Sequence, residues 1–239
     1  MTSSATCSGR SLAAEPAPRL VLASASPARL ETLTRAGLSP EVVVSDVDED
    51  AFAAPTVAEL VAVLARAKAE SVAASLPRER KVTRPLSVHG DGSLSVQDTL
   101  VIGCDSLLEL DGEPMGKPAS ADEAVARWRR MRGRTGHLHT GHHVIRLGTA
   151  PATASGVETT AVTFAELTDE EIDAYVATGE PQRVAGAFTI DGLGGAYVRS
   201  VSGDPHAVVG ISLPLLRDLF GRLGVRWHDL WTPLAFTAP

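Results

Sequence analysis

The sequence predicts an α/β fold, a single domain in which a mixed, twisted sheet is flanked by helices. Three observations predict it. Short apolar runs typical of buried strands alternate along the chain with segments of helical periodicity. A serine or threonine followed three residues later by glutamate opens three of those helices, at Thr56, Ser120 and Thr168. The 239 residues, 44% of them hydrophobic, contain no internal repeat and no interdomain linker, so one sizeable core is expected.

The N-terminal half begins with an apolar run at residues 19–23 that is suited to a buried strand. A serine–proline pair at Ser26 follows, and it is typical of a helix start because serine caps and proline fits the first turn. Residues 41–45 predict a second strand that runs into an acidic turn. The long helix opened by Thr56 has one apolar face, and Lys68 lies one turn beyond the end of that face.

The C-terminal half begins with a strongly apolar strand at residues 99–110, which ends in an Asp-Gly turn at Asp111. Three further strands are predicted, at residues 138–147, 157–164 and 196–201. A glycine-rich tract at residues 186–195 precedes the last of them. The final helix is amphipathic, and its apolar residues are Leu216, Leu219, Phe220 and Leu223.

Composition also divides the chain into a domain and its tails. The domain is expected to span residues 19–226, with a polar loop insertion at residues 77–98. Residues 1–18, rich in Ser, Ala and Pro, are expected to be a flexible N-terminal tail. Residues 227–239 are expected to be a C-terminal tail.

Charge and hydropathy exclude several classes of protein. The 22 basic and 29 acidic residues give a net charge of −7, whereas a nucleic-acid-coating or membrane-surface protein needs a broad positive face. No apolar run approaches the roughly 18 residues of a membrane-spanning helix, and no signal peptide is recognisable. The two cysteines cannot form a disulfide framework. We therefore expect a cytoplasmic protein without a nucleic-acid or membrane partner.

Lysine is rare in this chain, which has 19 arginines and only three lysines: Lys68, Lys81 and Lys117. A compact ammonium binds differently from a planar guanidinium, so these lysines are candidate functional residues. Lys117 lies between Gly116 and Pro118. The segment lacks the sequence of a nucleotide-binding P-loop, because proline stands where that loop has serine or threonine.

Two polar clusters follow the first two predicted strands. Ser24, Ser26 and Arg29 surround a helix N-terminus and could cradle a phosphate, although an ordinary capped helix start has the same residues. The carboxylates at residues 46–50 indicate either a solvated turn or a site for a hard cation. Asp105 follows the strongly apolar residues of its strand, and a carboxylate at such a strand end is costly unless it is paired, bound to metal or solvated in a cleft. The alternative is a strand-end aspartate that caps a local turn.

Taken in order, these segments resemble the Maf family of nucleoside triphosphate pyrophosphatases. The resemblance covers roughly residues 19–226, and its segments are LVLASASPARLETLTRAG, VDED, LARAKAESVA, VIGCDSLLELDGEPMGKPASADEA, TGHHV, YVATGEPQRVAGAFTIDGLGG and VVGISLPLLRDL. It implies a Maf/ITPase-like domain with a deep substrate cleft. It also implies hydrolysis of a nucleoside triphosphate between the α and β phosphates, with Mg²⁺ or Mn²⁺.

The resemblance assigns roles to individual residues. Asp105 corresponds to the general base, and Glu49 and Asp105 to the metal ligands. Four residues correspond to phosphate-binding positions: Ser24, Arg29, Lys68 and Lys117. Three positions that influence base choice depart from the pyrimidine-specific members: Ala28, Ser106 and Asp191. A homodimer is left open, and the alternative functions are a non-catalytic nucleotide-binding regulator of cell division and a phosphatase that releases orthophosphate.

Overall fold

The structure is a computed structural model that describes residues 17–77 and 98–232. Most of the expected N-terminal tail and of the loop insertion, and the end of the C-terminal tail, lie outside the described residues. The beginning of that C-terminal segment packs on the domain. A 3₁₀ turn at Trp227–Leu230 places both of its terminal side chains against the main apolar cluster, and the Thr232 amide donates to the Gly37 carbonyl (2.9 Å).

The described residues contain seven strands in one mixed sheet, which confirms the predicted fold class. In chain order the strands are β1 (Arg19–Ala23), β2 (Glu41–Val42), β3 (Thr99–Leu110), β4 (Glu113–Met115), β5 (Thr135–Leu147), β6 (Ala152–Phe164) and β7 (Val198–Ser202). They are ordered β2-β1-β3-β5-β6-β7, and β4 pairs with β3. The strands β2, β1 and β3 are parallel, while β5, β6 and β7 continue antiparallel.

In the described part of the chain, six α-helices cover the sheet. They are α1 (Pro27–Arg35), α2 (Val57–Ser75), α3 (Ala121–Met131), α4 (Asp169–Ala177), α5 (Pro205–Val209) and α6 (Leu213–Arg222). The glutamates that follow Thr56 and Thr168 complete reciprocal capping boxes at α2 and α4. Ser120 caps α3 as expected, but Glu123 accepts from the amide of Ala119 rather than from that of the cap residue. None of the helices within residues 17–77 and 98–232 is both long and apolar enough to cross a membrane.

Four strands differ from the prediction in their bounds. Two begin earlier than predicted, β5 at Thr135 instead of residue 138 and β6 at Ala152 instead of residue 157, because the two strands pair with each other over almost their whole length. The other two differ for local reasons. The second strand covers only Glu41–Val42 instead of residues 41–45, because its partner β1 ends at Ala23. The last strand begins at Val198 because a 3₁₀ segment, Leu193–Tyr197, precedes it. The Asp-Gly turn is confirmed, with φ of 57° at Asp111, and it joins β3 to the short strand β4.

One face of the sheet carries two separate apolar clusters. Leu100 and Ile102 of β3 pack with α6, whereas Leu108 and Leu110 of the same strand pack with Trp128 of α3 and with α4. Between them lie polar side chains, since the Ser106 and Thr140 hydroxyls of β3 and β5 are 3.0 Å apart. We call this pair the polar seam.

The opposite face holds α2 in direct backbone contact with the sheet. A Cβ atom added to Gly103 would lie 2.1 Å from the Ala65 carbonyl oxygen, and one added to Gly141 would lie 2.3 Å from that of Val61. Only glycine permits this approach at the two positions. The side chains of α2 that point along the sheet surface are therefore held close to β3.

Candidate active site

A buried ammonium joins two carboxylates at the end of the parallel strands. Lys68 Nζ lies 2.5 Å from Asp105 Oδ1 and 2.7 Å from Glu49 Oε1. The Lys68 and Asp105 side chains are only 10% and 7% exposed, whereas that of Glu49 is 55% exposed. The α2 helix brings Lys68 to this point because it rests on Gly103, two residues before Asp105 and on the same face of β3. The group opens to solvent on the Glu49 side.

The acidity of Asp105 is altered by its surroundings. Burial is the largest influence and raises the pKa of this carboxyl above its ordinary value of 3.8, although Lys68 and Arg29 partly oppose the shift. Glu49 adds a further increase through its negative charge. A carboxylate with a raised pKa is a better proton acceptor, which suits a general base.

Arg29 forms a second polar group on the other face of β3. Its Nε donates to the Gly210 carbonyl (2.8 Å), and its two terminal nitrogens donate to the hydroxyls of Ser24 and Ser106 (both 3.1 Å). Ser106 in turn belongs to the polar seam with Thr140, whose hydroxyl donates to the Ala207 carbonyl (2.8 Å). Among the described residues these bonds use three of the five guanidinium N–H groups, so two remain for an anion.

The two groups border the same break in the sheet. Strand β1 pairs with β3 only as far as Gly103, so Asp105 and Ser106 project beyond its end, one toward each face. The charge of Arg29 reaches Asp105, because it lowers the pKa of that carboxyl. Ligands of open α/β sheets bind beyond the carboxyl ends of parallel strands, and both groups lie at such an end.

The remaining residues named by the resemblance are near the surface. Lys117 is exposed, and within the described part of the chain its side chain makes no hydrogen bond or ion pair. Its backbone is fixed nevertheless, since the adjacent Gly116 carbonyl accepts from the Gly186 amide (3.1 Å) and from Arg127 (2.5 Å). Ala28 is partly buried in the first turn of α1, and Asp191 is exposed. The structure thus joins Ser24, Arg29 and Ser106 in one group and Glu49, Lys68 and Asp105 in the other.

The carboxylate pair fits a hard divalent cation in part. Glu49 and Asp105 supply oxygen ligands of the type that Mg²⁺ and Mn²⁺ prefer, and one cationic group already lies between them. Among residues 17–77 and 98–232 no cluster of three or more His, Cys, Asp or Glu side chains is arranged to hold an ion. Mg²⁺ is commonly held by one or two carboxylates while phosphate oxygens and water complete its coordination, so the pair suits an ion that binds together with a phosphate.

Three contributors were not found from the sequence. Thr140 belongs to a strand that also contains His137, His139, His142 and His143, and only its pairing opposite Ser106 in the β3–β5 register reveals its role. Gly210 acts through its carbonyl and carries no side-chain signal. Glu180, which binds the loop that carries Asp191, lies within a segment quoted for the resemblance but had been given no role.

Comparison with known proteins identifies the family. The family model described as Maf-like protein matches residues 19–223. A protein of Streptomyces avermitilis named nucleoside triphosphate pyrophosphatase is 53% identical over 219 residues, which cover 92% of this chain and 97% of the relative. Proteins with the same name are 51% identical in Salinispora tropica and 50% identical in Mycobacterium marinum, over 92% and 89% of this chain and 91% and 96% of those relatives. With the family model matching most of its length, this chain belongs to the Maf family.

Proposed function

We propose that this protein hydrolyses nucleoside triphosphates at the α–β phosphoanhydride, releasing a nucleoside monophosphate and pyrophosphate. The observation that carries the proposal is the Lys68 ammonium, which lies between Glu49 and Asp105 at the end of the parallel strands. The names of relatives at about 50% identity support the same activity. Clearance of non-standard or excess nucleotides in the cytoplasm is the role that we propose for this activity.

Arg29 and Lys68 are proposed to bind the triphosphate. A triphosphate carries about four negative charges at neutral pH, so binding requires concentrated positive charge. Arg29 offers its two remaining N–H groups, held in place by Ser24, Ser106 and Gly210. The first turn of α1, capped by Ser26, adds backbone N–H groups and the positive end of the helix dipole. Lys117, whose backbone is held next to Gly116, is proposed as a further phosphate-binding residue.

Asp105 is proposed as the general base. Its buried carboxylate is positioned by Lys68 Nζ at 2.5 Å, and its raised pKa favours uptake of a proton from the attacking water. Glu49 and Asp105 are proposed to hold Mg²⁺ or Mn²⁺, and such an ion, when bound, supplies charge neutralisation and a more acidic water. Lys68 and Arg29 then stabilise the negative charge that develops on the departing pyrophosphate.

Base choice is proposed to depend on three departures from the pyrimidine-specific members. Ala28 removes a long cationic donor, and Asp191 offers acceptors without a donor, so a different base edge is favoured. Ser106 keeps a hydroxyl, and because this hydroxyl accepts from Arg29 we propose that it acts through that residue. The test is the triple change Ala28→Arg, Ser106→Thr and Asp191→Gln. We expect its order of preference among the five common nucleoside triphosphates to move toward dTTP and UTP, and an unchanged order would contradict the assignment.

The reaction is tested by the inorganic product. Purified protein with Mg²⁺ or Mn²⁺ is given a panel of standard and modified nucleoside triphosphates, and pyrophosphate and orthophosphate are measured separately. We expect pyrophosphate and the nucleoside monophosphate in equal amounts. Release of orthophosphate alone would indicate a phosphatase, and tight binding without either product would indicate a nucleotide-binding regulator.

A further inference from the structure

Four donors converge on the carboxylate of Glu180. Oε1 accepts from the Tyr175 hydroxyl (2.8 Å), the Thr189 hydroxyl (2.6 Å) and the Gly194 amide (3.0 Å). Oε2 accepts from the Leu193 amide (3.0 Å). Three of these donors belong to one loop, residues 189–194, and they come from both of its ends. The carboxylate therefore holds the two ends of this loop together.

Two glycines of the loop lie too close to Glu180 and its partners to carry a side chain. A Cβ atom on Gly194 would lie 2.3 Å from the Tyr175 hydroxyl, and one on Gly192 would lie 2.7 Å from Glu180 Oε2. A side chain at Gly192 would press on the Glu180 carboxylate, and one at Gly194 would press on the Tyr175 hydroxyl and the Thr189 backbone. Close contact with Glu180, and with the Tyr175 and Thr189 groups that bind it, thus accounts for glycine at these two positions.

The outer part of the loop is left facing solvent. Asp191 and Gly192 are exposed, and the Leu193 side chain is 59% exposed although it is apolar. A carboxylate beside an exposed apolar side chain can accept hydrogen bonds from a nucleobase edge while the apolar group contacts the ring.

The base of the loop is attached to the candidate active site. The Gly186 amide donates to the carbonyl of Gly116, the residue before Lys117 (3.1 Å). A Cβ atom on Gly186 would lie 2.9 Å from that of Leu108, two residues beyond Ser106 on β3. The Trp128 indole also donates to the Ala187 carbonyl (2.8 Å). The loop consequently has a rigid support next to the strand that carries Asp105.

We propose that Glu180 is the positioning residue for the loop at residues 189–194 and, through Asp191, for selection of the nucleobase. The inference rests on the proposed function. Glu180 acts on the substrate only through the loop, so its loss is expected to alter recognition of the base and to leave the phosphate chemistry in place. Ionisation supports this role: although burial opposes it, the hydrogen bonds from Thr189, Gly194, Leu193 and Tyr175 hold the pKa of Glu180 at about 2.

The test is Glu180→Gln, which places an NH₂ group against donors in either orientation of the amide. We expect KM for the preferred nucleoside triphosphate to rise at least tenfold. Among dTTP, UTP, GTP, ATP and CTP, the ratio of kcat/KM between the best and the worst substrate is expected to fall below threefold. We expect kcat to fall less than fivefold, and the inhibition constant of inorganic triphosphate, which has no base, to change less than twofold. Hydrogen exchange at the amides of Leu193 and Gly194 is expected to accelerate at least tenfold.

Glu171→Gln is the matched control, because Glu171 accepts from the amide and hydroxyl of Thr168 and has no contact with the loop in the described residues. It is expected to lower the melting temperature without changing the base preference. Thr189→Ala, which removes one donor, provides a milder variant if Glu180→Gln does not fold, and it is expected to raise KM about threefold.

The outcomes separate the two proposals. A wild type that releases no pyrophosphate from any nucleoside triphosphate would refute the proposed function and with it the inference. If the wild type is active, two results would refute the inference alone. One is equal kcat/KM of the wild type for all five nucleoside triphosphates. The other is an unchanged base preference in Glu180→Gln, or in Thr189→Ala where that variant replaces it. A fall in kcat with unchanged ratios between bases would likewise show that Glu180 has only a structural role.

Discussion

Replacement of Lys68 by methionine is expected to tighten binding of Mn²⁺ to the nucleotide-free protein. The ammonium lies 2.5 Å from Asp105 and 2.7 Å from Glu49, the two carboxylates proposed as metal ligands. A divalent cation that approaches these oxygens is repelled by Lys68 and competes with it. Methionine is unbranched and one atom shorter than lysine, so it keeps much of the apolar contact of the side chain while removing its charge.

The magnitude follows from the separation of the charges. Two unit charges 4 Å apart interact by about 4 kcal/mol at an effective dielectric constant of 20. Exposure of Glu49 to solvent reduces the effect on a bound ion to roughly 1.5–3 kcal/mol. This free energy corresponds to a tenfold to hundredfold lower dissociation constant.

The assay measures free Mn²⁺ by its paramagnetic resonance signal during titration of nucleotide-free protein. Lys117→Met is the matched control, since Lys117 is exposed and unpaired in the described residues, and it is expected to leave the dissociation constant within a factor of two. Removal of Lys68 also leaves Asp105 buried without its cation, so the variant is expected to be less stable and to gain more stability than wild type from added Mn²⁺. Equal dissociation constants for wild type and Lys68→Met would refute the view that the ammonium and the metal share these carboxylates.

Three further predictions concern single positions. Asp105→Asn is expected to lower kcat for pyrophosphate release by about 10²–10⁴-fold, and a variant that kept more than a tenth of wild-type kcat would exclude Asp105 as the base. Gly103→Ala is expected to cost about 1–3 kcal/mol in the free energy of unfolding by urea, because its Cβ would lie 2.1 Å from the Ala65 carbonyl oxygen. Gly221→Ala in α6 is expected to be neutral or stabilising, since its Cβ would meet no atom of the described residues within 4 Å, and an equal loss of stability in the two variants would contradict the backbone contact. The pKa of Glu180 is lowered from 4.5 to about 2, so its ionised form stabilises the folded state above pH 4.5. This contribution, about 2 kcal/mol after solvent screening, is lost as the pH falls toward 2. Glu180→Gln is expected to remove that part of the pH dependence of urea unfolding, and an unchanged dependence would contradict the assigned pKa.

Local signals were sufficient for the parts of the fold that local contacts determine. Thr56 and Thr168 start helices because each hydroxyl accepts from the amide of the glutamate three residues later. The carboxylate of that glutamate accepts from the amide of the threonine in return, so all partners lie within one turn. The hairpin at Asp111 follows from a two-residue sequence. The short β2 strand could not be predicted from its own apolar residues, because its length is determined by where β1 stops.

The candidate site was predicted only where a residue type was unusual. Lys68 was singled out because lysine is rare in this chain and follows an apolar face, and the structure places it against Asp105 and Glu49. The bond from Arg29 to Gly210 joins residues 181 positions apart through a backbone carbonyl, which no sequence pattern records. Glu180 was missed for the same reason, since two of its partners are backbone amides 13 and 14 residues away.

The contact of α2 with Gly103 and Gly141 has a consequence for how substitutions in the core affect the site. Most helices rest on a sheet through interlocking side chains, so exchanging a valine for a leucine changes the spacing and moves whatever the helix carries. Here backbone meets backbone at both positions, and the height of α2 above β3 and β5 is set by atoms that every residue possesses. The apolar residues around this contact can therefore vary in size during evolution or engineering while Lys68 keeps its distance from Asp105. The geometry of the site therefore does not depend on the sizes of these core side chains. Substitution of Gly103 or Gly141, in contrast, would change it directly.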